Sequence, residues 1–147
     1  MLDTALSPQN LLFGFDLLLS LAFGYFIGAE RESRGKDAGI STQCLVIAGS
    51  MAFCFLSNVV DPLSTSRIAS NVVTGIGFLG AGLIFFNQAK DRVVNLTTAA
   101  TVWVSASIGM AIGFGYPIIA LALAVFSLFV LRIPHVQIMD KGKKVSE

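Results

Sequence analysis

The chain has 147 residues, of which 54% are apolar and only 13% are charged, and its mean hydropathy is +0.77. Soluble domains carry about 25% charged residues, so this composition excludes a disordered chain, a basic nucleic-acid-binding protein and most water-soluble enzymes. The net charge of +1 does not indicate a partner, and Cys44 and Cys54 lie too far apart along one apolar helix to form a disulfide.

Five apolar segments have, or nearly have, the length of about 20 residues that a membrane-spanning helix needs. Ser7 and Pro8 precede the first segment as a helix cap and a proline at the first helical position. The sequence therefore predicts an all-α fold, a polytopic membrane protein with a bundle of five transmembrane helices. The predicted spans are residues 11–29, 43–60, 66–86, 96–114 and 117–133.

Positive charge is concentrated on one side of the predicted membrane. Nine of the ten Lys and Arg residues fall in the first loop, the third loop or the C-terminal end, whereas the other side holds only Arg67. Because cytoplasmic loops carry such an excess, we expect the N-terminus outside and the C-terminus in the cytoplasm. Residues 1–135 are then the transmembrane domain, and residues 136–147 form a short cytoplasmic tail.

Small and polar residues form stripes on three of the predicted spans, mostly at steps of four. In lipid, such residues hold helices together by close packing and interhelical hydrogen bonds. We therefore expect the first, third and fourth spans to meet at these stripes and the bulkier second and fifth spans to lie outermost. The stripes contain Asp16, Ser20, Gly24 and Gly28; Arg67, Asn71, Gly75 and Gly77; and Thr97, Thr101, Ser105, Gly109 and Gly113.

Two of these glycine pairs, at residues 24–28 and 109–113, have the spacing Gly-x-x-x-Gly. That spacing is compatible with packing inside one chain or with a homodimer interface. A different glycine pattern, G-x-G-x-x-G at residues 75–80, spells the dinucleotide fingerprint. It lies in the middle of a span with no preceding strand, so no nucleotide binding is predicted.

Asp16 is the candidate functional residue inside the apolar layer, where a lone acid is costly and normally faces a partner or water. Arg67 and Asn71 begin the third span at a matching depth, so a contact between Asp16 and Arg67 is geometrically feasible, with Ser20 as a polar neighbour. Three interpretations stay open: an ion- or proton-sensing site, an ion pair that fixes helix packing, and a shallow carboxylate at the interface. The question of a metal site is left open, with Asp16 as its candidate ligand, and no cofactor is predicted.

The first cytoplasmic loop mixes acids and bases over residues 30–37. It is either a solvated loop anchored at the lipid headgroups, a partner for the charges at residues 90–92, or a docking surface for another protein. Its candidate residues are Glu30, Arg31, Glu32, Arg34 and Lys36.

Three blocks follow one another in this sequence: GAERESRGKDAGIST at residues 28–42, RIASNVVTGIGFLGAG at 67–82 and LTTAATVWVSASIG at 96–109. Together they resemble the MgtC/SapB (YhiD-like) family of inner-membrane proteins. The resemblance implies a multi-pass protein of a bacterial inner membrane, linked to adaptation to low magnesium and, in pathogens, to virulence and intracellular survival. The positions it implicates are Asp16, Glu30, Arg31, Glu32, Arg34, Lys36, Arg67, Asn71, Thr97 and Thr98, with Gly75, Gly77, Gly80 and Gly82.

We therefore expect a non-enzymatic regulatory or accessory protein that acts through helix–helix contacts with a membrane-protein partner, as a monomer, homodimer or higher homo-oligomer. The alternative is an oligomeric transporter or channel for Mg²⁺ or another cation. Mg²⁺ requires several oxygen ligands, which a symmetric oligomer would supply by bringing several copies of Asp16 together. The expected partners are the lipid bilayer and a membrane protein, with no nucleic acid and no nucleotide.

Overall fold

The computed structural model of the protein describes residues 7–87 and 92–133. This part of the chain contains five α-helices and a two-stranded hairpin, so the predicted all-α class and the five predicted helices are confirmed. The helices are α1 (Pro8–Ser33), α2 (Ile40–Val60), α3 (Thr65–Leu83), α4 (Leu96–Gly113) and α5 (Pro117–Arg132). Strands β1 (Phe85–Asn87) and β2 (Arg92–Val94) lie between α3 and α4.

Three of the described helices, α1, α2 and α4, are long and apolar enough to cross a membrane. A shorter apolar helical segment, Pro117–Leu131, lies within α5. Large apolar side chains cover the outside of the bundle, among them Leu45 (73% exposed), Phe78 (81%) and Phe129 (69%). Because extensive exposed apolar surface marks a membrane or protein interface, this exterior suits hydrocarbon.

Local signals near the chain reversals define where helices begin and end. The hydroxyl of Ser7 accepts a hydrogen bond from the backbone N–H of Asn10 at 3.3 Å, and Pro8 occupies the first turn of α1. Gly115, with φ of +82°, follows α4, and its N–H donates to the Ile112 carbonyl. This left-handed conformation costs glycine little, so the chain reverses there into α5.

Helix α2 packs closely against α1 at two glycines of α1, Gly24 and Gly28. A Cβ placed on Gly24 would lie 2.5 Å from the Cα of Cys44, and one on Gly28 would lie 2.6 Å from the backbone nitrogen of Ile40. A Cβ essentially never approaches another heavy atom this closely. The two glycines therefore let the backbones of α1 and α2 approach more closely than any other residue would allow.

Farther along the chain, α2 packs on α4 in the same way. A Cβ on Gly109 would collide with the carbonyl oxygen of Ile47, and one on Gly113 would collide with the carbonyl oxygen of Met51. Helix α2 is thus held between two glycine-lined surfaces. Ile47 and Met51, both fully buried, join Ile27, Ile108 and Ile112 in the main apolar core.

The expectation that the second span lies outermost is therefore wrong, because α2 packs on α1, α3 and α4. The glycine stripe of α1 packs against α2 and not against α3. The physical reason is that a glycine-lined surface admits any neighbouring backbone, and it does not specify which helix will occupy it. The fifth span does lie at the side of the bundle, packed on α4 and α1.

Helix α3 joins the bundle through a small second cluster. Val72 and Ile76 pack against Val102 and Ala106 of α4. Between α3 and α2 lies a groove of about 790 Å³, lined mostly by apolar side chains together with Thr42 and Ser50 of α2 and Asn71 of α3.

The third predicted span ends earlier than expected, at Leu83, and not at residue 86. Phe85 and Phe86 instead pair with Val94 and Val93 in the antiparallel hairpin. Aromatic and β-branched residues in cross-strand pairs stabilise such a ladder, so a local hairpin replaces the last turn of the predicted helix.

Candidate functional site at the charged end of the bundle

The end of α1 and the starts of α2 and α4 meet at one end of the bundle. Two hydrogen bonds connect them across the fold: Asn95 Nδ2 donates to Asp37 Oδ2 at 2.7 Å, and Arg31 Nη2 donates to Thr98 Oγ1 at 3.3 Å. We call this region, residues 30–37 with Asn95, Thr98 and Arg132, the charged end. All five residues singled out in the predicted loop lie here, but Glu30, Arg31 and Glu32 belong to the last turn of α1, because the helix continues to Ser33.

Arg31 is the buried cation of the charged end, with only 3% of its surface exposed. Its Nη1 lies 3.8 Å from Glu30 Oε2, and its Nη2 donates to Thr98. Within residues 7–87 and 92–133, its Nε has no hydrogen-bond partner. A buried charge is tolerated where it is paired, so Arg31 ties the end of α1 to the first turn of α4.

Glu30 lies between two arginines. Arg34 Nε is 2.6 Å from Glu30 Oε1, one helical turn away, while Arg31 approaches the other oxygen. The Glu30 side chain is 8% exposed and that of Arg34 is 40% exposed. The carboxylate is therefore largely removed from water, and water screens the pair less than it screens an ordinary surface ion pair.

Glu32 has a different role, at the start of the next helix. Its Oε1 accepts a hydrogen bond from the backbone N–H of Ile40 at 2.9 Å, and its side chain packs directly against Gly39. The first N–H groups of a helix lack partners and carry partial positive charge, so a carboxylate there is favourable. Lys36, in the same loop, is exposed.

A second buried polar contact lies one turn deeper and joins α2 to α4. Ser105 Oγ donates to Gln43 Oε1 at 2.6 Å, and Gln43 Nε2 donates to the Ala38 carbonyl at 3.0 Å. Gln43 and Ser105 are both fully buried. Thr101 is also buried but bonds within its own helix, to the carbonyl of Thr97, whose side chain is exposed.

Asp16 and Arg67 do not meet. Asp16 is 7% exposed on α1, and Ser20 donates to its backbone carbonyl at 2.8 Å. Arg67 and Asn71 are exposed on α3, and Asn71 Nδ2 bonds back to the Arg67 carbonyl at 3.1 Å. No ion pair joins Asp16 to Arg67 in the described parts of the chain. The contact between Asp16 and Arg67 that the sequence allows is absent because α1 packs on α2 and not on α3.

The glycines of α3 differ from those of α1 and α4. A Cβ on Gly75, Gly77 or Gly82 would meet no atom within 4 Å, and one on Gly80 would meet Ala99 at 3.9 Å. As for metal ligands, residues 7–87 and 92–133 contain no group of three or more His, Cys, Asp and Glu side chains that could hold an ion. Among the described residues, Asp16 therefore stands without such a group.

Three residues of this site were not singled out in the sequence: Asp37, Gln43 and Asn95. The sequence could have indicated Gln43, because it is a lone amide at the start of an apolar span and polar groups in such a segment normally find partners. Asn95 adopts a left-handed conformation with φ of +65° immediately before α4. Its bond to Asp37 depends on two distant loops meeting, which no local pattern indicates.

The polar contacts described above join α1, α2 and α4, and we call them the clamp. The clamp consists of the buried guanidinium of Arg31, the nearly buried carboxylate of Glu30, and two amide contacts. These contacts join Gln43 to Ser105 and Asn95 to Asp37. Hydrogen bonds to charged groups are the stronger ones, and the bonds from Arg31 to Thr98 and from Asn95 to Asp37 are of this kind.

Sequence comparison with known proteins finds a match over the same part of the chain. A sequence model described as the MgtC family matches residues 17–136, which include the whole of the clamp and all but the first turns of the bundle. The chain belongs to the MgtC family.

The relatives carry related names. "Putative magnesium transporter YhiD" of Escherichia coli (strain K12) is 43% identical over 128 residues, 81% of this chain and 58% of the relative. "Protein MgtC" of Salmonella typhimurium (strain LT2) is 43% identical over 113 residues, 77% of this chain and 48% of the relative. The chain thus spans about half to three-fifths of the length of these two MgtC-family relatives. No solved structure matches it.

Proposed function

We propose that this MgtC-family protein is a non-enzymatic regulatory or accessory protein of a bacterial inner membrane, active under magnesium limitation. It acts by packing one of its helices against a transmembrane helix of another membrane protein. All five helices span the membrane, with the N-terminus outside and the C-terminus in the cytoplasm. Family membership and the magnesium-related name of one relative support the link to magnesium.

The exposed face of α3 carries this proposal. Ser70, Asn71 and Thr74 are exposed there, and within the described residues their side chains bond to the backbone of α3 itself. Gly77 on the same helix faces open space. Small and hydroxyl-bearing residues are the ones that membrane helices place against each other. A face of this composition suits a partner helix better than lipid chains.

The expected orientation is supported by where the cations lie. Arg31, Arg34, Lys36 and Arg132 all belong to the end of the bundle that holds the first loop, and Arg67 lies at the start of α3. Lys90 and the predicted tail, residues 136–147, lie outside the described residues. Reporter fusions at the two chain ends test the orientation: both ends in one compartment would contradict five spans.

Photo-crosslinking tests the partner contact. A crosslinking amino acid at Gly77 should give a discrete adduct in membranes from magnesium-limited cells, and the same group at Val125, exposed on the outside of α5, should not. Replacing Gly77 with leucine should also reduce growth at low magnesium without lowering the yield of folded protein. An adduct of twice the chain's mass would identify the partner as a second copy. Equal adducts at both positions, or unchanged growth, would contradict the proposal.

The second candidate function is transport of Mg²⁺ or another cation, and the buried carboxylate of Asp16 favours it. An acid in a membrane helix that lacks an ion-pair partner in the described chain is a position where an ion or proton pathway is expected. The name of the Escherichia coli relative points the same way.

A flux assay separates the two functions. Purified protein in liposomes with a magnesium-sensitive dye should show no flux above empty liposomes if the regulatory function is correct. Flux that is lost in Asp16→Asn, and kept in the matched exposed variant Asp61→Asn, would establish transport and replace the first proposal.

A further inference from the structure

A small cleft lies between the end of α1 and the end of α5, on the outside of the charged end. Its volume is about 360 Å³. Phe26, Ala29 and Leu128 form its apolar wall, and Glu30, Ser33, Arg34 and Arg132 form its polar rim. Of its lining residues, Glu30 also contacts Arg31 of the clamp.

The rim of the cleft carries an excess of positive charge. The carboxylate of Glu30 is already occupied by Arg34 at 2.6 Å and by Arg31 behind it at 3.8 Å. Arg132 is exposed, and no residue within 7–87 or 92–133 forms an ion pair with it. Two guanidinium groups therefore border the cleft, with one acid that is itself neutralised. Guanidinium groups bind phosphate through paired, parallel hydrogen bonds.

The apolar wall continues toward the middle of the bundle. Phe26 is one turn before Glu30 on α1, and Leu128 is one turn before Arg132 on α5. A ligand that fills this cleft should therefore carry an anionic group at one end and hydrocarbon at the other. Basic pockets between membrane helices on the cytoplasmic side bind anionic lipid headgroups in this way.

We propose that the cleft between α1 and α5 binds the headgroup of an anionic phospholipid, with its phosphate held by Arg34 and Arg132. Free phosphate shares the charged chemistry but would leave the apolar wall uncovered, so the lipid is the better fit. The inference needs only that the helix ends reach the membrane interface. It does not depend on a protein partner or on ion transport.

Native mass spectrometry of the full chain, released from nanodiscs, tests the site. Phosphatidylglycerol should be retained several-fold more than phosphatidylcholine, and Arg132→Gln should reduce that retention at least threefold. Arg132→Lys keeps the charge but loses the forked geometry, so it should retain an intermediate amount. Arg67→Gln, which removes one exposed cation at the start of α3, is the matched control and should retain phosphatidylglycerol like the original chain.

Arg132 is the better test position because it contacts no described ion-pair partner, whereas Arg34 also holds Glu30. Circular dichroism of each variant checks that the helices persist. Equal retention of the two lipids, or equal loss in the Arg132 and Arg67 variants, would overturn the proposal. So would displacement of the lipid by inorganic phosphate at low millimolar concentration, which would identify free phosphate as the ligand. Each of these results is independent of the crosslinking and flux outcomes.

Discussion

Helices α3 and α4 have nearly the same length, 19 and 18 residues, yet their surroundings differ sharply. Helix α4 buries ten residues against its neighbours, whereas α3 buries only Val72 and Ile76. Both helices carry glycine at short spacings. In α4 the glycines touch the backbone of α2, and in α3 most of them face open space.

This difference shows that a glycine stripe has two uses in one small membrane protein. Against α2, glycine creates the close approach on which the core of the chain depends. On α3, the same residue type leaves a shallow surface that residues 7–87 and 92–133 do not cover. The polar contacts differ in part in the same way: Thr98 and Ser105 of α4 bond to other helices, whereas Ser70 and Thr74 bond within α3, as Thr101 does within α4.

The largest expected effect comes from adding a side chain at the close contact between α1 and α2. Gly28→Val should destabilise the folded chain by about 3 kcal/mol, because its Cβ would meet the backbone of Ile40 and the bundle would have to separate. Thermal unfolding in detergent measures this loss. The control is Gly75→Val on α3, where a Cβ meets no atom, and the comparison fails if both variants unfold at the same temperature.

Removing the buried cation should have the next largest effect. Arg31→Gln takes away one partner of Glu30 and the donor to Thr98. Breaking a buried ion pair costs roughly 3–5 kcal/mol, and since Glu30 keeps Arg34, we expect about 2 kcal/mol. Detergent unfolding of Arg31→Gln beside the exposed variant Arg67→Gln gives the difference. Equal midpoints would mean that the clamp contributes nothing to stability.

A single interhelical hydrogen bond should give a smaller effect. Ser105→Ala leaves the buried Gln43 Oε1 without its donor at 2.6 Å, at a cost of roughly 1–2 kcal/mol. Ser70→Ala on α3 removes a bond of similar length to its own helix, where water or lipid headgroups replace it. We expect a lower unfolding midpoint for the first variant alone, and a matched fall in both would remove the distinction between the helices.

The smallest effect should have the opposite sign. Gly77→Ala on α3 should raise stability by roughly 0.5–1 kcal/mol, because alanine is the better helix former and its methyl group meets open space. The same change at Gly109 should lower stability, since its Cβ would collide with the Ile47 carbonyl. The pair is measured by unfolding in one detergent. A loss of stability at Gly77 would place an intramolecular contact on the exposed face of α3.

Much of the local structure follows directly from the sequence. Apolar length and helix caps predicted all five helices within a few residues at most ends, because both are properties of neighbouring residues. The hairpin was missed because Phe85 and Phe86 are as apolar as the helix before them. Only their pairing with Val94 and Val93 separates a strand from a continuing span.

The sequence by itself determined the helices, the concentration of cations at one end and the glycine stripes, because each depends on spacing along a single segment. Only the tertiary structure decided that α2 packs on both α1 and α4, that Asp16 and Arg67 lie apart, and that Arg31 reaches Thr98. The physical reason is that a helix face specifies what kind of surface it accepts, such as a close backbone or a polar partner. Which of several similar helices meets that requirement depends on how all five fill the same space.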